Sequence, residues 1–198
     1  MSYLLTTSLL NSLSWYLKES FTKTEAEQRQ EFLQTLRREK TKPNEAMQKG
    51  ITFENQISGK VKGEPAPVGH PIYEIGQIIK GGLWQQSVKK DLKIGNSEFL
   101  LYGRTDVIKR DTVFDIKFTS NYEIGKFQDS SQHLIYLYCS ELPKFSYLIS
   151  DGKDWWREDY FNHAGVEDEI KSKVSEFLDY LEGDKEAKEL YFNNWISK

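Results

Sequence analysis

The sequence predicts a mixed α/β chain of the α+β type. Three observations carry that reading. Apolar residues first recur at helical spacing, as in Leu9, Leu10, Leu13 and Leu17. After a Gly95–Asn96 turn the spacing changes to alternation, clearest over Thr112–Thr119. Helical spacing then returns over Ser130–Ser140 and in the tail, where Ile170, Val174, Phe177, Leu178 and Leu181 share a face. Helices, a strand meander and more helices make α+β or α/β the class.

Each element has a local reason. Met1–Trp15 is apolar, with a Thr/Ser start before the leucine stripe, and is read as a folded helix. Thr24–Lys40 is a polar helix carrying Phe32, Leu33 and Leu36, broken at Thr41–Pro43. Asn44 caps the next helix, Glu45–Ser58, and Glu45 in its first turn suits the helix dipole. Gly63 to Pro71 holds Pro65, Pro67 and Gly69 and is a turn-rich loop. Ile72 to about Leu92 is read as helical, with a kink or split at Gly81–Gly82. Glu98–Ile108 and Thr112–Thr119 are strands joined at Lys109–Asp111, and Phe145–Ser150 and Trp155–Phe161 form a second hairpin across Asp151–Gly152.

Composition narrows the function. The 198 residues suit one domain with its own core, with residues 44–161 at its centre and helical additions at both ends. Cys139 is the sole cysteine, which excludes a disulfide framework and any all-cysteine zinc or iron–sulfur site and suits a reducing, cytoplasmic compartment. No apolar run approaches the roughly 18 residues of a membrane span. The first basic residue is Lys18, so a secretory leader is not expected. The first 130 residues carry 19 Lys and Arg against 16 Asp and Glu, and the rest carry 8 against 14. Any basic face for a nucleic acid therefore belongs to the first two thirds, and the acidic remainder is better suited to a protein partner. His70, His133 and His163 lack zinc-ligand spacing, and His133 leaves the helix about 100° away from Gln132.

The informative stretch runs from Gly103-Arg-Thr-Asp106 to Asp115-Ile-Lys117. Alternation puts Phe114, Ile116 and Phe118 on one strand face, toward a helix-covered core, and Val113, Asp115 and Lys117 on the other. Closing the hairpin symmetrically about Arg110–Asp111, by a two- or four-residue loop, sets Asp106 opposite Asp115. A three-residue loop would shift the register and separate them. Two carboxylates opposed across a ladder repel, and a hard divalent cation between them turns repulsion into coordination. Lys117 would then stand beside that cation.

Four pieces in order, Gly50-Ile-Thr-Phe-Glu54, Gly103-Arg-Thr-Asp106, Asp115-Ile-Lys117 and Gln132-His-Leu-Ile-Tyr136, resemble the PD-(D/E)xK nuclease superfamily, nearest its RecB-like, phage-type exonuclease branch. Thr7-Ser-Leu-Leu-Asn-Ser-Leu resembles the helix that often opens this branch. The resemblance covers about Asn44–Cys139 and implies a restriction-endonuclease-like core, a central mixed sheet flanked by helices. It implies Mg2+ or Mn2+ held by Asp106, Asp115 and the Ile116 backbone carbonyl, with Glu54 ligating directly or through water. Lys117 would be the catalytic lysine, and Gln132 and Tyr136 would steady the lysine, the metal waters or the strand. Thr105 stands where the motif has proline, and the single cysteine leaves no iron–sulfur cluster. Gly50, one turn before Glu54, is expected at a close helix approach.

Arg104, Lys109, Arg110, Lys126 and the run Lys89, Lys90, Lys93 are candidate phosphate contacts, and Tyr102, Tyr122 and Trp84 candidate base-stacking rings. The expected activity is metal-dependent DNA hydrolysis, as an exonuclease in bacterial or phage DNA recombination, repair or processing. DNA is the expected substrate, a recombination or repair protein a candidate partner, and no membrane is involved. Ring-forming members of the superfamily add a homo-oligomer to what should be checked. The competing reading is a non-catalytic nuclease-fold module that binds DNA ends or a partner protein, as a phage-encoded inhibitor would.

Overall fold

The computed structural model describes residues 2–18, 20, 22–60 and 65–197; Met1 and Gly63 lie outside the described residues. The chain opens with a strand, β1 (Tyr3–Thr6), which the sequence reading missed. Thr6 ends it and caps α1 (Thr7–Leu17), its hydroxyl accepting the Leu9 N–H at 3.2 Å. β1 is too short for its alternation to stand out beside the leucine stripe that follows. The exposed helix is α2 (Glu25–Leu36), which buries Phe32, Leu33 and Leu36. Its capping box pairs Thr24 with Glu27. Asn44 caps α3 (Glu45–Ile57), as its position suggests.

The helix expected from Ile72 to Leu92 is shorter. α4 (Pro71–Ile79) stops before Gly81, whose φ of 79° lies in the left-handed region. Two strands take its place, β2 (Leu83–Trp84) and β3 (Ser87–Ile94). In β3 the inward set is Val88, Lys90, Leu92 and Ile94. Lys90 reaches Glu141 at 2.6 Å and lies over the Tyr138 ring at 4.3 Å, so a lysine stem occupies an apolar slot and hides the alternation.

The long strand expected over Glu98–Ile108 is divided into β4 (Ser97–Arg104) and β5 (Val107–Lys109). β3 pairs with β4 and β2 with β5 in the same antiparallel register on both sides of the gap. The two pairs are therefore one ribbon, interrupted where Gln85 adopts a φ of 55°. Backbone bonds from Gln85 N–H to the Asp106 carbonyl and from Thr105 N–H to the Gln86 carbonyl, both 2.9 Å, hold the interruption. The ribbon thus passes from a three-stranded sheet, β1-β4-β3, into a five-stranded one, β2-β5-β6-β7-β8, and Asp106 sits at the crossing point.

In the larger sheet β6 (Thr112–Phe118) is central, β7 (Lys144–Ser150) lies parallel to it, and β8 (Trp155–Phe161) closes the antiparallel edge. The β6–β7 crossover carries α5 (Ser131–Ser140). Helices α6 (Val166–Gly183) and α7 (Lys185–Asn194) complete the chain. The result is an α/β fold with a central mixed sheet flanked by helices, as the sequence predicts.

Both faces of β6 are covered. Phe114 and Ile116 join Phe53, Ile75, Ile79, Val107 and Leu148 under α3 and α4. Val113 belongs to the larger core under α1, α2, α5, α6 and α7. Asp115, on the Val113 face, is therefore enclosed, only 3% exposed. Among the described residues no helix is long and apolar enough to cross a membrane.

Candidate active site

β5 and β6 meet through the two-residue connection Arg110–Asp111, with Arg110 at a φ of 54°. Lys109 pairs with Thr112, Ile108 with Val113 and Val107 with Phe114, so the next position in that register sets Asp106 against Asp115. β5 ends there. The Asp106 carboxylate takes the rung the backbone gives up, accepting the Ile116 N–H at 2.7 Å. The residue expected to offer a carbonyl to a cation is thus fixed to Asp106 through its amide.

Asp115 is held from two sides. Gln132 Nε2 donates to its Oδ1. The Lys117 ammonium stands 2.6 Å from Oδ2 as its ion-pair partner. Burial, and then the Asp115 carboxylate, hold the Asp106 carboxyl well above the ordinary range; the Ile116 N–H and Lys117 oppose the shift. The buried Asp115 and the half-buried Asp106 thus lie together, with Lys117 paired to Asp115. Two carboxylates facing one ammonium are short of one positive charge, a deficit that a hard divalent cation fits.

α5 forms the wall of the site. Ser130 caps it, accepting the Gln132 N–H at 3.2 Å. Gln132 and Tyr136 lie one turn apart on the face toward β6. Tyr136 donates to the Arg104 carbonyl at 2.7 Å, and Gln132 Nε2 is 3.5 Å from its hydroxyl. The Tyr136 ring lies on Gly103, where a Cβ would come within 2.1 Å of it. This is why the Gly-x-x-Asp piece needs its glycine. Gly50 has no such role, since a Cβ there would meet nothing within 4 Å; it lies on the part-exposed side of α3 and the expected close approach is absent.

Glu54 stands further out. Its carboxylate accepts Gln85 Nε2 at 3.1 Å, and the Gln85 main chain bonds Asp106. It still adds, as the smallest contribution, to the upward shift of Asp106. Among the described residues no three His, Cys, Asp or Glu side chains stand close enough to form a cation cage. The structure therefore brings Asp106, Asp115, Lys117, Gln132 and Tyr136 together and ties Glu54 to them through Gln85.

Other residues at the site carried no sequence signal of their own. Tyr147 lies beside Asp115 across the parallel ladder, beneath the Lys117 ammonium at 5.6 Å. Its register follows from a crossover and could not be counted along the chain. Asn11 on α1 pins the start of α5. Its Nδ2 donates to Ser130 Oγ at 3.1 Å, and its Oδ1 accepts from Ser131 N–H at 3.0 Å and Ser131 Oγ at 2.8 Å. Only the leading-helix resemblance pointed toward it.

Several candidate contacts are committed elsewhere. Tyr122 donates to Glu158 at 2.6 Å and packs on Trp156, Lys93 pairs with Glu98 and Lys90 with Glu141. Trp84 packs against the smaller core. Lys109 donates to the Ile78 carbonyl and Tyr102 bonds Ser87. His133 is buried and stacked on Tyr160 at 4.1 Å, and burial, followed by Lys173, lowers its pKa to about 4. Burial pushes the Cys139 thiol up to about 12, which suits an inert core residue.

No family model and no curated protein matches the chain. Among solved structures, SSO0001 is similar with a TM-score of 0.50 and 12% identity, over 88% of this chain and 76% of that one. At that identity the likeness establishes a shared fold and nothing more. Rai1 of Scheffersomyces stipitis is also found, with a TM-score of 0.34 and 14% identity, over 92% of this chain and 62% of that one.

Proposed function

We propose that the chain is a Mg2+- or Mn2+-dependent DNA nuclease of the PD-(D/E)xK type, acting as an exonuclease. The observation that carries the reading is the juxtaposed pair of the half-buried Asp106 and the buried Asp115, with Lys117 2.6 Å from Asp115. These donors are hard oxygens, which fit a hard divalent cation. Asp106, Asp115 and the Ile116 carbonyl would hold it, with Glu54 acting through water. When bound, such an ion supplies positive charge to the phosphate and acidifies a coordinated water.

The side chains divide the remaining work. Lys117 positions the attacking water and offsets negative charge as it gathers on phosphorus. A bond forms from the water oxygen to phosphorus as the water gives up a proton to solvent, the bond to the leaving sugar oxygen breaks, and that oxygen takes a proton from solvent. Gln132 holds the Asp115 carboxylate in its rotamer. Tyr136, locked to the Arg104 carbonyl, keeps the ribbon crossing against α5.

Linear single- and double-stranded DNA incubated with the full chain tests this. Shortening that needs Mg2+ or Mn2+ and stops with a chelator is the expected result. No cleavage of either substrate with either ion would remove the proposal. It would favour the second reading, a non-catalytic module of the same fold, to which the engagement of Glu54 by Gln85 already lends support.

A further inference from the structure

A cleft of about 220 Å³ opens directly beside Lys117 and Gln132, between α1 and the start of α5. Its rim carries Trp15, Lys18 and Lys126. α1 buries Leu9, Leu10 and Leu13, while Trp15, which lines the cleft, is 72% exposed and Leu17 is 50% exposed. An indole left in water beside a cationic cleft is a surface awaiting a flat partner.

The charge around it suits an anion. The Lys126 ammonium is held by neutral oxygens alone, Thr119 Oγ1 at 2.7 Å and the Asn121 carbonyl. Lys18 pairs with Asp129 at 3.1 Å, but both side chains are exposed, at 59% and 77%, so a phosphate can compete for the lysine. The N-terminal end of α5, capped by Ser130, also faces the cleft and adds the positive end of a ten-residue helix. Among the described residues Asp129 is the one acidic side chain lining it.

We propose that this cleft seats one unpaired nucleotide of single-stranded DNA next to the cleavage position, its base on Trp15 and its phosphate between Lys18 and Lys126. The proposal rests on the nuclease reading of the neighbouring carboxylates and deepens it by naming the form of the substrate. A base in the interior of a duplex is stacked on both faces and offers none to an indole, whereas an unpaired base offers a whole face.

The test is binding in a chelating buffer, where cleavage cannot interfere. Fluorescence anisotropy follows a labelled oligothymidylate and a blunt duplex of equal length. The wild type is expected to prefer the single strand. Trp15→Ala should weaken single-strand binding about tenfold or more, with little change for the duplex, and Trp15→Phe should recover most of the loss. Lys126→Gln should flatten the salt dependence of single-strand binding. Circular dichroism checks that each variant folds. Unchanged single-strand affinity in Trp15→Ala, or an equal loss for duplex, overturns the proposal. Cleavage with no Trp15 dependence of binding removes the subsite alone. Trp15-dependent binding without cleavage under Mg2+ or Mn2+ removes the nuclease reading and leaves the subsite standing.

Discussion

Lys117→Met is expected to reduce metal-supported DNA cleavage about 100- to 1,000-fold and to destabilise the chain at the same time. The two effects have one source. Asp115 is 3% exposed, and Lys117 is its ion-pair partner. Removing the ammonium leaves a buried carboxylate without its counter-charge, a change that costs about 3–5 kcal/mol in comparable settings. Lys117 keeps 29% of its side chain in solvent, so the lower end of that range applies. The double variant Asp115→Asn with Lys117→Met removes both charges together. Its amide can still accept from Gln132, so most of the lost stability should return while cleavage stays absent. Thermal unfolding of the two single variants and the double, set beside their cleavage rates, separates the roles. If the double variant is no more stable than Lys117→Met, the ion-pair account is wrong. If Lys117→Met cleaves at the wild-type rate, Lys117 has no part in catalysis.

Asp106→Asn is expected to move stability the other way. The folded state raises the Asp106 carboxyl, chiefly through burial and next through Asp115. Between the unfolded value near 4 and the higher folded value, the folded chain binds more protons than the unfolded one. Stability therefore falls as pH rises above the unfolded value and goes on falling until the folded value is passed. An asparagine carries no charge and its oxygen can still accept the Ile116 N–H. The variant should unfold a few degrees higher than wild type at pH 7–8, on the order of 1–2 kcal/mol. The gain should vanish below about pH 4, where the wild-type carboxyl is protonated in both states. Added Mn2+ should raise the unfolding temperature of the wild type and leave this variant almost unmoved. Scanning calorimetry across pH, with and without Mn2+, reads both effects. A variant less stable than wild type at pH 7.5 would show that the carboxylate pair is not under strain.

The sequence carried the heart of the site because that part depends on local counting. The Asp106–Asp115 juxtaposition follows from a two-residue connection between β5 and β6, and Gln132 with Tyr136 from one helical turn. Alternation along β6 also placed Phe114 and Ile116 toward a core and Asp115 on the opposite face, which a second helix layer proves to cover. What escaped depends on partners distant in the chain. Tyr147 reaches Asp115 through a crossover, and Gln85 reaches Glu54 through a break in the ribbon. β3 was concealed by Lys90, whose stem lies where an apolar residue would have marked the strand. A close approach was expected at Gly50, and it is Gly103 that has a ring pressed on it. A glycine's reason is a neighbour, and the neighbour is not in the local sequence.

Diffraction from crystals grown with Mn2+ tests the central claim most directly, because manganese gives an anomalous signal that locates it without assumption. The account predicts one strong peak in coordination contact with the Asp106 and Asp115 carboxylates and the Ile116 carbonyl, beside Lys117. A saturated crystal with no peak there, or with manganese bound only elsewhere, would contradict it.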